Sequence, residues 1–592
     1  MVTKKKFYIT TAIDYVNARP HIGHAMEKVL ADALARWHKL LGEDVWYLTG
    51  TDENAQKNAQ AAEEAGIPTK KFVDQNSKIF IELCKKLNLS NDDFIRTTEQ
   101  RHIKVAKEIF KKVYDKGEIY KGKYEGYYCT GCESFITEKD LVDGKCPEHN
   151  KEPSFMSEEA YFFKLSKYKN KIIKFIEDYI VPNSKKNEIL SRLKSEELRD
   201  LCVSRTGLDW GIDSPIDKKF KIYVWFDALI NYYSGASGNW PADIHVIGKG
   251  INWFHSVIWP GILMSAGIKL PKKLLVHGYL NLGGKKMSKS LGNIIDPIDL
   301  VDKYGSDSVR YSLLKASVFE DSDYSEEILI ERNNNELANK LGNLISRVGA
   351  LAEKYGISKT PNKLLKKLKL KEIEKQINNY ELDKALNDIF GFIDVCNEYI
   401  QDKKPWETKN KKVLYELVDS IKAIAILLWP FIPETSEKIA KDFGFKLEYK
   451  EIKKPISVRK IKKPENLFKK IDYKSEKEEV EGVKDMKTIK YNDFAKLELK
   501  VGTIKKAEDI KGADKLYKLD VDTGEKRVIV AGIKKSYSKA ELKGKQIIVI
   551  CNLEPRELRG IKSEGMLLAA VDKEKVVLIG PEKKIGSGVK IQ

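Results

Sequence analysis

"KFYITTAIDYVNARPHIGHAMEKVLADALARWHKLLGEDVWYLTGTDE", Lys6 to Glu53, decides the fold class of this chain of 592 residues. Its start, "KFYITTAI", is a short apolar strand, followed by the turn-rich "DYVNARP". The stretch "HIGHAMEKVLADALARWHKLLG" then carries helical periodicity and stops at Gly42, and "EDVWYLTGTDE" reads as a second strand. Strand, helix, strand is the parallel crossover unit of a doubly wound α/β fold. A second such half follows at "DIHVIGKG", "INWFHSVIWPGILMSAG" and "KLLVHGYLNL", which begin at Asp243, Ile251 and Lys273. The sheet is therefore split by an insertion.

Working outward, the chain divides into residues 1–115 (first half of the nucleotide-binding fold), 116–220 (insertion) and 221–330 (second half). Residues 331–450 are helical with few turn signals, as in a bundle. Residues 451–485 are charged, hold Pro455 and Pro464, show no steady apolar period and read as a tether. Residues 486–592 carry short strands separated by turns, the pattern of a small β-barrel. The hydrophobic share of 42% argues against overall disorder, and no stretch has the roughly 20 apolar residues of a membrane helix. A cytoplasmic protein is expected. The net charge of +19 favours a polyanionic partner such as RNA.

Two motifs carry phosphate chemistry. His21 and His24 lie three apart at the start of the first helix, where unpaired backbone N–H groups and the helix dipole attract phosphate. Alone, the pair fits helix capping as well as phosphoryl stabilisation; Gly23 between them leaves room for a ligand. "GGKKMSKSLGN", Gly283 to Asn293, alone fits a solvated turn or a cationic loop that closes on a polyphosphate. "HIGH" followed by "KMSKS" on two halves of a split parallel sheet resembles the class I aminoacyl-tRNA synthetases. That resemblance implies that His21 and His24 stabilise the transition state at the α-phosphate of ATP and that Lys286 and Lys289 bind the leaving pyrophosphate. Gly23 and Ser288 complete the ATP contacts it implies, with magnesium accompanying the nucleotide.

The insertion narrows the family. It is too short for the large editing domain of the isoleucine, valine and leucine enzymes. It holds "CTGC" (Cys129, Cys132) and "CPEH" (Cys146, His149), a Cys3His set with the spacing of one structural, tetrahedral zinc per chain. The whole chain resembles the methionyl-tRNA synthetases. The resemblance places a methionine pocket at Ile13, Tyr15, Asp52, Trp225, Ala228, Leu229, Tyr232, Ile251 and His255. This is a suitable mixture of aromatic and aliphatic walls for a thioether, with an acid for the ammonium group. The "GTDEN" element departs from the commoner "GTDEHG", with Asn54 and Ala55 in place of His and Gly. Asp52 stays in place while its neighbours' contacts change.

In the helical region Asn343 and Arg347 lie one turn apart, and Trp406 follows Pro405 at a helix break. By themselves these fit a surface pair and a packed indole, or a reader that stacks an unpaired base; all four match the anticodon-reading positions of the methionine enzymes. Residues 486–592 resemble the appended tRNA-binding OB-fold and the free-standing dimeric tRNA-binding proteins, which implies a homodimer. The expected function is ligation of methionine to tRNA(Met), initiator included, through a methionyl-adenylate. A small-molecule nucleotidylyltransferase would share the histidine element but need neither bundle nor tail. A non-catalytic tRNA scaffold would not need both phosphate motifs.

Overall fold

The computed structural model describes residues 4–136, 138–147, 151–282, 285–286, 295–457, 461–463, 465, 467–472, 496–510, 512–513, 515–572 and 575–591. Contacts divide the chain into two units, before and after the Lys474/Ser475 junction.

In the first unit the apolar runs read from sequence become strands buried on both faces, as parallel sheets require. Lys6–Thr11 lies at the centre. Asp44–Asp52 and then Asp93–Arg96 flank it on one side, and Ile244–Gly248, Leu274–His277 and Ile180–Val181 on the other, all parallel. The order of strands reverses between Lys6–Thr11 and Ile244–Gly248, so the crevice beyond their C-terminal ends is the switch point where ligands bind in such sheets. The helix Ile22–Leu40 crosses back between the first two strands. It is buried on nearly every side, because the sheet covers one face and the helical region another. Gly42, at φ 88°, supplies the left-handed residue after its end.

The insertion is a four-stranded antiparallel sheet in which Ile119–Cys129 pairs with Ser134–Ile136 and Ser154–Phe163, and Leu201–Cys202 closes the edge. It also returns Ile180–Val181 to the outer edge of the parallel sheet. Helices including Asn343–Tyr355, Leu382–Lys403 and Lys411–Leu428 share one apolar core with the underside of that sheet.

The tether expected at residues 451–485 is corrected over its first part. Ile452, Ile456 and Ile461 are buried in the common core, with Leu467, Phe468 and Ile471 packed beside them. The Tyr415 hydroxyl donates to the Ile456 carbonyl at 3.0 Å, and the Asn333 and Asn334 side chains donate to the Lys469 and Ile471 carbonyls at 3.0 and 2.9 Å. An extended strap satisfies its backbone through such side chains and needs no helical or alternating period, which is why its sequence reads as a linker. Residues 473–485 lie outside the described residues.

The second unit is an antiparallel sheet in the order Lys526–Ala531, Tyr517–Asp522, Leu499–Asp509, Gln546–Ile550, Met566–Leu567. Its two edges approach each other, with Glu564 N–H donating to the Val528 carbonyl at 2.8 Å, so the sheet is nearly closed into a barrel.

Candidate active site

The switch-point crevice holds a cavity of about 210 Å³, and all nine positions expected to hold methionine line it. Ile13 and Tyr15 follow the first strand, Asp52 ends the second, and Ile251 follows the Ile244–Gly248 strand. The short helix Val224–Leu229 supplies Trp225, Ala228 and Leu229. Trp225 stacks on Phe254 with centroids 3.7 Å apart.

Asp52 is 2% exposed, and its Oδ1 has no hydrogen-bond partner among the described residues. Burial, reinforced by the nearby Asp227 carboxylate, holds its carboxyl well above the usual range. A buried carboxylate with an unpartnered oxygen favours a ligand that brings a cation. At the other wall, His255 Nδ1–H donates to the Ile251 carbonyl at 2.9 Å, so its Nε2 accepts the Tyr232 hydroxyl at 2.6 Å. Burial lowers this imidazole to about 4, which keeps that tautomer neutral.

The two histidines of the first motif form a reciprocal cap. His21 precedes the helix, its Nδ1 accepting from Gly23 N–H at 3.1 Å, and His24 Nδ1 accepts from His21 N–H at 3.0 Å. A neutral imidazole that accepts at Nδ1 carries its proton at Nε2. Burial pushes both rings down to about 3, with His24 adding to the effect on His21 and Lys28 to that on His24. The helix therefore begins with two neutral Nε2–H donors. A Cβ at residue 23 would lie 2.9 Å from the His21 ring. The room that glycine makes is thus taken by an imidazole.

The described segments on either side of the second motif come to the same crevice. Tyr279, just before the Leu280–Leu282 strand, lines the cavity, and that strand pairs with the backbone of Lys285–Lys286. On the far side, the Ile295 carbonyl accepts Ile22 N–H at 3.1 Å, and Asp296 pairs with Arg19 at 2.8 Å. Ser288 and Lys289 lie outside the described residues, as does the side chain of Lys286.

Cys129, Cys132 and Cys146 present sulfurs that all lie within 4.8 Å of one another, Cys132 and Cys146 at 3.5 Å. Sulfurs about 2.3 Å from a tetrahedral ion stand about 3.8 Å apart, so the trio can hold a metal. His149 lies outside the described residues. The turn through these cysteines also braces the cavity: the Cys132 carbonyl accepts Trp225 Nε1–H at 3.3 Å, and Glu133 accepts Lys57 N–H at 2.6 Å and the Tyr128 hydroxyl at 2.6 Å. Lys57 in turn places its ammonium 3.1 Å from the centroid of the Tyr15 ring. Sequence reasoning missed Lys57, Glu133 and also Glu27, which lines the cavity and accepts Gly248 N–H at 3.1 Å. Only Glu27 had a signal, since it falls one turn after His24 on the helix.

Asn54, the departure noted in "GTDEN", donates to Asp227 at 2.8 Å and to the Thr97 carbonyl at 3.1 Å. It thereby ties the end of the second strand to the Trp225 helix. In the helical region the Arg347 guanidinium sits 5.3 Å from the Trp406 ring centroid, Asn343 is exposed one turn before Arg347, and Pro405, next to Trp406 in the chain, is buried.

Comparison with known proteins bears on this arrangement. The family model described as tRNA synthetases class I (M) matches residues 7–153 and 140–349. The "Methionine--tRNA ligase" of Caldanaerobacter subterraneus subsp. tengcongensis is 42% identical over 99% of this chain and 100% of its own. The chain belongs to the methionine–tRNA ligases. The family's counterpart in Thermotoga maritima is 41% identical over 99% of this chain and 100% of its own. Mycobacterium tuberculosis methionyl-tRNA synthetase in complex with methionyl-adenylate superposes with a TM-score of 0.75 at 36% identity, covering 78% of this chain and 99% of that one. Beyond the catalytic unit, models for the anticodon-binding domain of tRNA ligase and for a putative tRNA binding domain match residues 363–516 and 499–590. For a methionine–tRNA ligase the class I catalytic fold, the helical anticodon-binding region and the nearly closed C-terminal sheet are thus in their expected order.

The low imidazole values have a consequence for folding. As pH falls below 6.5, the unfolded chain takes up protons on His21, His24 and His255, whereas the folded chain does so only near 3 to 4. Their contribution to stability is complete above 6.5 and is lost through that window. Thermal melts should show the melting temperature declining from pH 6.5 toward 4, less steeply in His255→Gln; an equal slope in the variant would contradict this.

Proposed function

We propose that this protein activates L-methionine with ATP and transfers it to the 3′ end of tRNA(Met), initiator included. The observation that carries the reading is that the segment following the lysine loop meets the start of the helix whose first turn presents two imidazole Nε2–H donors, and the segment preceding it borders the adjoining cavity, where a buried acid has an unpartnered oxygen. In this reading Asp52 receives the ammonium group, and Trp225, Ala228, Leu229 and Tyr232 enclose the side chain. A methionine carboxylate oxygen attacks the α-phosphorus, forming a P–O bond as the bond to pyrophosphate breaks. His21 and His24 donate to the phosphoryl oxygens as charge moves across them, and Lys286 and Lys289 take up the departing pyrophosphate. The terminal ribose hydroxyl of tRNA then attacks the mixed anhydride, and AMP leaves. Magnesium would accompany ATP and, when bound, would neutralise part of the phosphate charge. ATP–pyrophosphate exchange with each amino acid tests the reading: methionine alone should support it, and exchange with another amino acid or with none would refute it.

Cys129, Cys132 and Cys146, completed by His149, would hold one zinc that fixes the turn bracing Trp225 and Lys57. Elemental analysis should give about one zinc per chain, since one complete Cys3His set is present. None in a folded, active protein, or two, would reject the assignment. Asn343, Arg347 and Trp406 would read the anticodon, with Pro405 as their support. The C-terminal unit would hold tRNA and a second copy of itself. Ending the chain at Lys474 should leave adenylation unchanged, lower charging of dilute tRNA and convert dimer to monomer in sedimentation. A truncated dimer that charges dilute tRNA normally would remove both roles.

A further inference from the structure

Directly behind His24 lies a buried ion pair that the reaction as described does not use. Lys28 is one helical turn after His24 on the same face and is fully buried. Its ammonium group pairs with Asp14 Oδ2, on the short strand Asp14–Tyr15 beside Thr51 and Asp52. The other oxygen of the same carboxylate, Asp14 Oδ1, is 3.9 Å from His24 Nε2. That separation is about 1 Å beyond a hydrogen bond. A small rotation of the carboxylate would close it.

His24 has one proton to offer and offers it from Nε2, because Nδ1 is engaged by His21 N–H. Asp14 is 7% exposed and lines the same cavity, so its charge needs a partner from the protein. Two groups are in reach: the Lys28 ammonium and the His24 ring. The partner that Asp14 takes decides whether the imidazole faces the phosphate or a carboxylate.

We propose that Lys28 is a positioning residue for adenylation: by holding Asp14 in an ion pair, it keeps the carboxylate from capturing His24, whose Nε2–H is left free for the phosphoryl oxygens. The proposal rests on the reading that His24 donates to the α-phosphate. Burial pushes the Lys28 ammonium toward neutrality, but the acidic groups around it, Asp14 first and Glu27 with it, together hold the lysine above its ordinary value, while burial holds the Asp14 carboxyl above its own ordinary value in spite of Lys28; the contact between the two side chains, and not these shifts, is what marks the pair. The arrangement also cancels a negative charge at a place where a polyphosphate has to approach.

The test uses the full chain and ATP–pyrophosphate exchange with methionine. Lys28→Met keeps the length and apolar stem of the side chain and removes only the charge. It should lower kcat by about 10- to 100-fold, approaching the loss of one donor, with KM for methionine changed by no more than about twofold. Adding Asp14→Asn to Lys28→Met should restore most of kcat, because no carboxylate remains to capture the ring. In ¹⁵N spectra, His24 should move toward the charged, carboxylate-bonded ring in the single variant and return in the double. A kcat unchanged by Lys28→Met, or a double variant as slow as the single with an unmoved His24 signal, would overturn the proposal. If Lys28→Met does not fold, the double variant decides, with near-normal kcat in support and a loss equal to that of His24→Ala against. His24→Ala in the same assay separates the two levels: if it leaves exchange unchanged, the reading of His24 fails, and if it slows exchange while Lys28→Met does not, only this inference fails.

Discussion

His24→Ala is expected to lower the rate of methionyl-adenylate formation by about 10²- to 10³-fold, the usual consequence of deleting one preorganised donor to a developing oxyanion. On the proposed reading the Nε2–H meets charge that grows only during transfer, so the effect should fall on kcat. His24 also accepts His21 N–H at the start of the helix, so a second variant is needed to separate donor from cap. His24→Asn supplies it: an amide can still accept at the cap while losing the imidazole donor. Exchange assays should find both variants slow and melting temperatures should find only the alanine variant destabilised. An asparagine variant with normal kcat would refute the donor role.

Asp52→Asn should raise KM for methionine by roughly ten- to a hundredfold, from about 1.5 to 3 kcal/mol lost with a charged hydrogen bond. At the same time it should stabilise the protein without methionine, because a buried carboxylate oxygen without a partner is replaced by a neutral amide. The sign follows from the carboxyl being held above its ordinary range: at neutral pH the unfolded chain ionises it freely, whereas burial in the folded state opposes its charge. Opposite movements of affinity and melting temperature identify a ligand-facing acid. A variant that lost both would mark Asp52 as structural.

Much of this was legible because the relevant signals are local. The Lys6–Thr11 and Ile244–Gly248 strands announce themselves as continuous apolar runs, since a parallel sheet buries both faces. The histidine pair declares itself by spacing at a helix start, and Cys129, Cys132 and Cys146 by a metal-ligand pattern. What sequence could not supply is tertiary. Glu133 meets Lys57 across 76 positions with no motif at either end. Ile180–Val181 is two residues long, too short to show any period, and joins the sheet only because Leu274 and Leu275 lie beside it. Asn54 was visible as a departure, but its partner Asp227 was not. The strap through Ile471 was misread because charge and proline dominate its composition, while the isoleucines that anchor it are too widely spaced to form a pattern.

That strap also sets where the chain can be divided without injury. A break at residue 450 would peel away Ile452, Ile456 and Ile461 and leave an oily furrow along the bundle, which invites aggregation. After Asp472 the first unit keeps its own lining, and the nearly closed sheet beyond keeps a separate core of Ile504, Leu519, Val521 and Ile547. Each unit therefore brings an apolar core of its own, and a division after Asp472 cuts through neither of them.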